Sequence, residues 1–166
     1  MFDPLGMCRI FNEEGVNYVV LGGFAAVVHG SPITTRDLDI LPDRDLENLN
    51  RLGRALTRIG AKIRISGEPV ETQIDGPFLA NMPFMLNLVS ELGELDLTFA
   101  PAGPLDGFSQ WNEHASTISI AVGLDIRVAA LDDVIDSKAA ADRPKDRLAL
   151  PFLESLRDEI RRSEEE

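Results

Sequence analysis

The sequence predicts an α/β (α+β) fold: a mixed β-sheet flanked by helices, with C-terminal helices closing the domain. Three observations carry this reading. Short apolar runs such as Tyr18-Val19-Val20-Leu21 have the length and β-branched content of strands. Between them lie stretches of helical spacing, as at Leu46, Leu49, Leu52, Leu56 and Ile59. Gly93 and Gly123 each separate two strand-like runs, as in hairpins. Strands that alternate with helices and also form hairpins assemble into a mixed sheet.

Taken in order, a first helix is expected over about 3–14, with Leu5, Met7, Cys8, Ile10 and Phe11 apolar and Gly15 as its stop. A strand follows at about 17–21. The pair Gly22-Gly23 then turns the chain into a short helix over about 24–29, closed by Gly30. Residues 31–35 form a loop and about 36–41 a second strand. An amphipathic helix spans about 45–59 and ends at Gly60, before a short strand at about 61–65. Residues 66–83 are rich in Gly, Pro and acidic residues without a sustained period, so they read as a long loop that could rim a substrate cleft. Strands at about 84–90 and 94–100 form one hairpin, and strands at about 116–121 and 124–129 another. Helices over about 131–141 and 144–162 finish the chain. Pro144 suits a first helical turn, and Pro151 marks a break or kink. One domain is expected over 1–166, its core at about 16–130 and its closing helices at about 131–162.

Composition narrows the class. The chain has 166 residues, 44 % of them hydrophobic, enough for a sizeable core. The lone cysteine, Cys8, allows neither a disulfide framework nor a cysteine-rich metal site, so a reducing cytoplasm is the expected location. No apolar run approaches the roughly 20 residues of a membrane span, and no membrane role is expected. The opening Met-Phe-Asp-Pro-Leu-Gly lacks the regions of a signal peptide. The net charge of −12 argues against broad nonspecific binding to nucleic acid. Basic residues still cluster locally. Arg51, Arg54, Arg58, Lys62 and Arg64 read as a solvated helix face, and Lys138, Arg143, Lys145 and Arg147 form a second group.

The stretch from Gly22 to Asp39 carries most of the functional signal. After the glycine pair, Asp37-Leu38-Asp39 opens an apolar run. Alternation along a strand puts Asp37 and Asp39 on one face while Leu38 and Ile40 point into the core. Two carboxylates on a rigid face, near a glycine turn, is what holding Mg²⁺ against a nucleoside triphosphate requires. Asp43-Arg44-Asp45 has the same spacing but follows Pro42 and precedes a helix, so it reads as turn and cap chemistry.

Leu21-Gly22-Gly23, thirteen intervening residues and then Asp37-Leu38-Asp39 resemble the signature of the DNA polymerase β-like nucleotidyltransferase superfamily. The wording His29-Gly30-Ser31, then Thr35-Arg36-Asp37-Leu38-Asp39, is more narrowly similar to the AbiEii and MenT-type toxins of bacterial toxin–antitoxin pairs. A second block supports that likeness: Leu131-Asp132-Asp133-Val134-Ile135, Ser137-Lys138 and Arg143-Pro144-Lys145-Asp146. The resemblance implies a nucleotidyltransferase-like fold and Mg²⁺ as cofactor, with Asp37 and Asp39 as metal ligands. It also implies a third carboxylate on a later strand. Asp96 in Leu95-Asp96-Leu97-Thr98-Phe99 fits, as second-metal ligand, general base or both, and Glu94 on the same face stays open as the alternative. By the same resemblance Lys138 and Asp146 complete the site, with Lys145 and Arg143 behind them.

Other residues near the motif have two readings. Gly22 and Gly23 would let backbone approach phosphate, or would simply turn a strand into a helix. Ser31, Thr34, Thr35 and Arg36 could bind phosphate or the acceptor. Thr35 matches the place where the resemblance implies an antitoxin can act, but a plain loop threonine is the preferred reading. His29, His114 and Trp111 read as structural. The expected activity is Mg²⁺-dependent nucleotidyl transfer from a nucleoside triphosphate to the 3′ end of tRNA, by a toxin held in check by a cognate antitoxin protein. Two alternatives remain: nucleotidylation of a protein or small hydroxyl compound such as an aminoglycoside, and a catalytically silent binding module.

Overall fold

A computed structural model describes residues 1–66 and 68–166. The described residues form helices α1 (Pro4–Glu13), α2 (Gly22–Val28), α3 (Leu46–Arg58), α4 (Gly76–Ala80), α5 (Gly107–His114), α6 (Leu131–Ala141) and α7 (Pro144–Glu165). The strands are β1 (Tyr18–Leu21), β2 (Asp37–Pro42), β3 (Lys62–Ile65), β4 (Glu68–Val70), β5 (Met85–Ser90), β6 (Gly93–Thr98), β7 (Ser116–Ala121) and β8 (Leu124–Val128). All eight join one sheet in the order β4-β3-β5-β6-β2-β1-β8-β7. The sheet is mixed because hairpins such as β5–β6 and β7–β8 pair antiparallel, while β2–β6 and β1–β8 are brought together in parallel. This is the α/β architecture expected from the sequence.

Alternation decides which face does what. Leu38, Ile40, Leu95, Leu97 and Leu88 are fully buried and join one apolar cluster with Leu49, Leu52 and Leu56 of α3. The residues between them, Asp37, Asp39, Glu94 and Asp96, must then share the other face, because β2 and β6 pair in register. Burying one face therefore delivers the acidic residues to the other.

Three expectations need correction. The stretch 66–83 is not one long loop. It contains β4, which lengthens the sheet edge beside β3, and α4, whose first turn is capped by the Asp75 carboxylate accepting from the Phe78 N–H at 3.0 Å. Elements this short show no period. Gly67, between β3 and β4, lies outside the described residues. The helix α5 was not anticipated either, since among its residues Trp111 alone is buried. At the C-terminus, α7 runs through Pro151 without ending: Pro151 is exposed, while Ala149 and Leu150 before it and Leu153, Leu156 and Ile160 after it pack against the core. Among the described residues no helix is long and apolar enough to cross a membrane.

Candidate active site

The site is built where β1, β2 and β6 lie side by side. Asp39 is level with Asp96 across the parallel β2–β6 pair, and Asp37 is level with Glu94. On the other side Asp39 pairs with Leu21, the last residue of β1. The helix α2 starts immediately afterwards at Gly22, rather than after a glycine turn as expected. Gly22 takes a φ of +63°, and a Cβ there would lie 3.1 Å from Asp39 Oδ2 and 3.2 Å from its Cβ. A Cβ on Gly23 would come 2.9 Å from Thr35 Oγ1. The pair thus lets the start of a helix rest directly on the carboxylate motif.

Two threonines and one arginine approach the carboxylates. The Thr98 hydroxyl, from the end of β6, donates to Asp39 Oδ1 at 2.5 Å. The Thr35 hydroxyl donates to Asp37 Oδ1 at 3.0 Å. Arg64 reaches across from β3 to Glu94 Oε1 at 3.3 Å and to Asp96 Oδ1 at 3.9 Å. The last distance is too long for a hydrogen bond, and Asp96 Oδ1 is a buried oxygen without a hydrogen-bond partner. Burial pushes the Asp96 carboxyl up to about 8, reinforced by the neighbouring Asp37 and Asp39 carboxylates, with Arg64 opposing. Asp39 is raised to about 6, chiefly by burial; Thr98, Lys138 and Arg143 pull it down, and Asp37 pushes it up.

Across from Asp39, the turn between α6 and α7 supplies positive charge. Asp142 adopts the left-handed conformation at φ 50°, folding the first turn of α7 back onto the last turn of α6. Asp146, with no exposed surface, then sits 3.7 Å from Lys138 Nζ and accepts from Arg143 Nε at 2.7 Å. Asp39, Thr98, Lys138 and Arg143 all line a cavity of about 270 Å³, together with an apolar wall that includes Trp111.

The structure brings Asp37, Asp39, Asp96, Gly22 and Lys138 to one place. Asp146 lies behind the cations, paired with Lys138 and Arg143. Thr35 and Gly23 sit beside Asp37, and the remaining candidates are set apart. Ser31 is buried and its Oγ accepts from the Ile33 N–H at 3.2 Å, bracing its own loop. Arg36 and Lys145 are exposed and do not line the cavity. His29 Nε2 lies 2.7 Å from the Ala129 carbonyl, and His114 Nδ1 2.9 Å from Asp133, both ties between elements.

Thr98 and Arg64 went unrecognised in the sequence. Thr98 had a signal: it lies two residues after Asp96 and so shares its face. Arg64 did not read as a site residue because it was grouped with a helix face. It stands on β3, whereas Arg58 of α3 is paired with Glu13 and Glu14. Among the described residues no three His, Cys, Asp or Glu side chains are arranged to hold a metal ion as they stand. The donor set nonetheless suits a hard cation: carboxylate oxygens on one face, one of them buried and unpartnered, with pKa values that a cation would relieve.

The mixed sheet with its flanking helices has a nucleotidyltransferase fold. Solved structures share it. The lincosamide antibiotic adenylyltransferase LnuA, in its lincomycin-bound crystal structure, is similar with a TM-score of 0.60 at 19 % identity, over 91 % of this chain and 94 % of that one. ANT(2″)-Ia, in complex with adenylyl-2″-tobramycin, gives 0.56 at 14 % identity over 95 % and 94 %. A Thermotoga maritima protein provisionally described as a nucleotidyltransferase gives 0.54 at 18 % over 98 % and 96 %. No protein-family model matches the chain, and no curated protein matches it in sequence.

Proposed function

We propose that the chain transfers a nucleoside monophosphate from a nucleoside triphosphate to the hydroxyl of a small, cationic acceptor. The observation that carries this is the level pairing of Asp39 with Asp96 beside a cavity that also holds Lys138 and Arg143. Asp37, Asp39 and Asp96 would hold Mg²⁺, which when bound neutralises charge on the reacting phosphates. Lys138 and Arg143, held by Asp146, attract the triphosphate. Asp96, whose carboxyl is raised toward neutral pH, takes the proton of the acceptor hydroxyl. The acceptor oxygen bonds to the α-phosphorus as the bond to the bridging oxygen breaks, and pyrophosphate leaves.

The net charge of −12 favours a cationic acceptor. Two neighbours in the fold carry antibiotics in their descriptions, lincomycin and adenylylated tobramycin. A second reading keeps the 3′ end of tRNA as acceptor and an antitoxin as partner. It rests on the His29-to-Asp39 wording and on Lys138 lying 3.7 Å from Asp146, two residues that the resemblance puts in the site. Against it, the basic residues of α3 face acidic partners on α1.

Purified protein with Mg²⁺ and each labelled nucleoside triphosphate, offered tobramycin, lincomycin or total tRNA, separates the readings. Label on an antibiotic is expected, falling about 10²- to 10⁴-fold in Asp96→Asn. Label on tRNA alone would establish the second reading. Label on none, with every nucleotide, would overturn both.

A further inference from the structure

Trp111 is almost completely buried, yet its indole N–H has no acceptor among the described residues. A buried donor left unpaired is costly, and natural proteins seldom keep one without a use. Trp111 also lines the active-site cavity, beside Phe84, Met85, Pro101, Ala102 and Val134. Two of these break the usual pattern: Phe84 is 70 % exposed and Met85 44 %. A cavity wall thus combines flat apolar surface and an aromatic ring open to solvent, with an unpaired donor buried behind it.

We propose that this wall takes the nucleobase of the donor nucleotide, with the Trp111 N–H donating to a base carbonyl or ring nitrogen. The inference rests on the nucleotidyl-transfer reading and names a specificity-determining residue within it. Charge selects the occupant. Lys138 and Arg143 line the same cavity and would repel a cationic acceptor, but they draw in phosphates, and the base is tethered to those. The acceptor is left the acidic side, at Asp37, Glu94 and Asp96. A base is planar and apolar on its faces with acceptors at its edge, which matches a stacking surface edged by one donor.

Trp111 is the chain's single tryptophan, so emission reports on this wall alone. The full chain is titrated with α,β-methylene analogues of the four nucleoside triphosphates, and with inorganic tripolyphosphate, which has charge but no base. Calorimetry follows binding in parallel. At least one analogue is expected to shift the emission, and tripolyphosphate to bind without that shift. Trp111→Phe keeps a ring but loses the donor, and should weaken the analogue about fivefold while leaving tripolyphosphate unchanged. Should that variant fail to fold, as read by its melting curve, the emission contrast in the native chain decides. Analogue binding with no emission change, or the same change with tripolyphosphate, would overturn the proposal and leave nucleotidyl transfer standing. Absence of binding by all analogues would remove both.

Discussion

At Asp39 a single residue is held by three elements. The start of α2 presses on it through Gly22, Thr98 of β6 donates to it, and the α6–α7 turn faces it with Lys138 and Arg143. Asp39 and Asp96 both bind protons more tightly in the folded chain, at about 6 and about 8, than an unfolded carboxylate does. Their contribution to stability is therefore fully present below the ordinary carboxylate range and is lost as pH rises through those values. The melting temperature of the free protein should fall between about pH 5 and pH 9, and fall less in Asp39→Asn. Added Mg²⁺ should raise it more at the upper end, because ligands must be deprotonated to bind. Calorimetric melts with and without Mg²⁺ check this; equal Mg²⁺ shifts at both ends would contradict it.

At the scale of elements, α7 contributes more than closure. The Asp146 carboxylate accepts from the Arg143 backbone N–H at 3.1 Å, capping the helix, while also pairing with Arg143 and Lys138. Burial opposes its ionisation, but those partners outweigh it and hold the carboxyl below its usual range. Asp146→Asn keeps the shape and an acceptor but loses the charge. It should cost about 1–3 kcal/mol of stability and lower turnover at least tenfold, read from chemical denaturation and from labelling rate. Unchanged turnover would mean that Lys138 and Arg143 need no positioning. The separation of Lys138 from Asp146 gave no hint that they meet. Their contact depends on the left-handed Asp142, and a non-glycine residue at positive φ leaves no mark in the sequence pattern. The edge strand β4 and helix α4 were illegible for a simpler reason, being too short to show a period, and α5 because Trp111 is its one buried residue.

For the molecule as a whole, acidity is the relevant property. A cationic acceptor should associate more slowly as salt rises, since the attraction between opposite charges is screened. Stopped-flow association of the labelled acceptor at low and high salt tests this. A rate that increases with salt would indicate an anionic acceptor such as RNA.

The sheet, its flanking helices and the shared face of Asp37 and Asp39 were determined by local pattern: alternation of apolar and polar residues, helical spacing and glycine stops. Those signals are properties of neighbouring residues, so a single chain displays them. Which strand lies beside β2, and hence that Asp96 comes level with Asp39 while Arg64 and Thr98 reach the carboxylates, was decided only by tertiary structure. Parallel pairing of β2 with β6 joins residues far apart in the chain, and burial of the opposite face sets their register. The unpaired indole of Trp111 belongs to the same category, because an absent partner becomes visible only when every surrounding atom has a place.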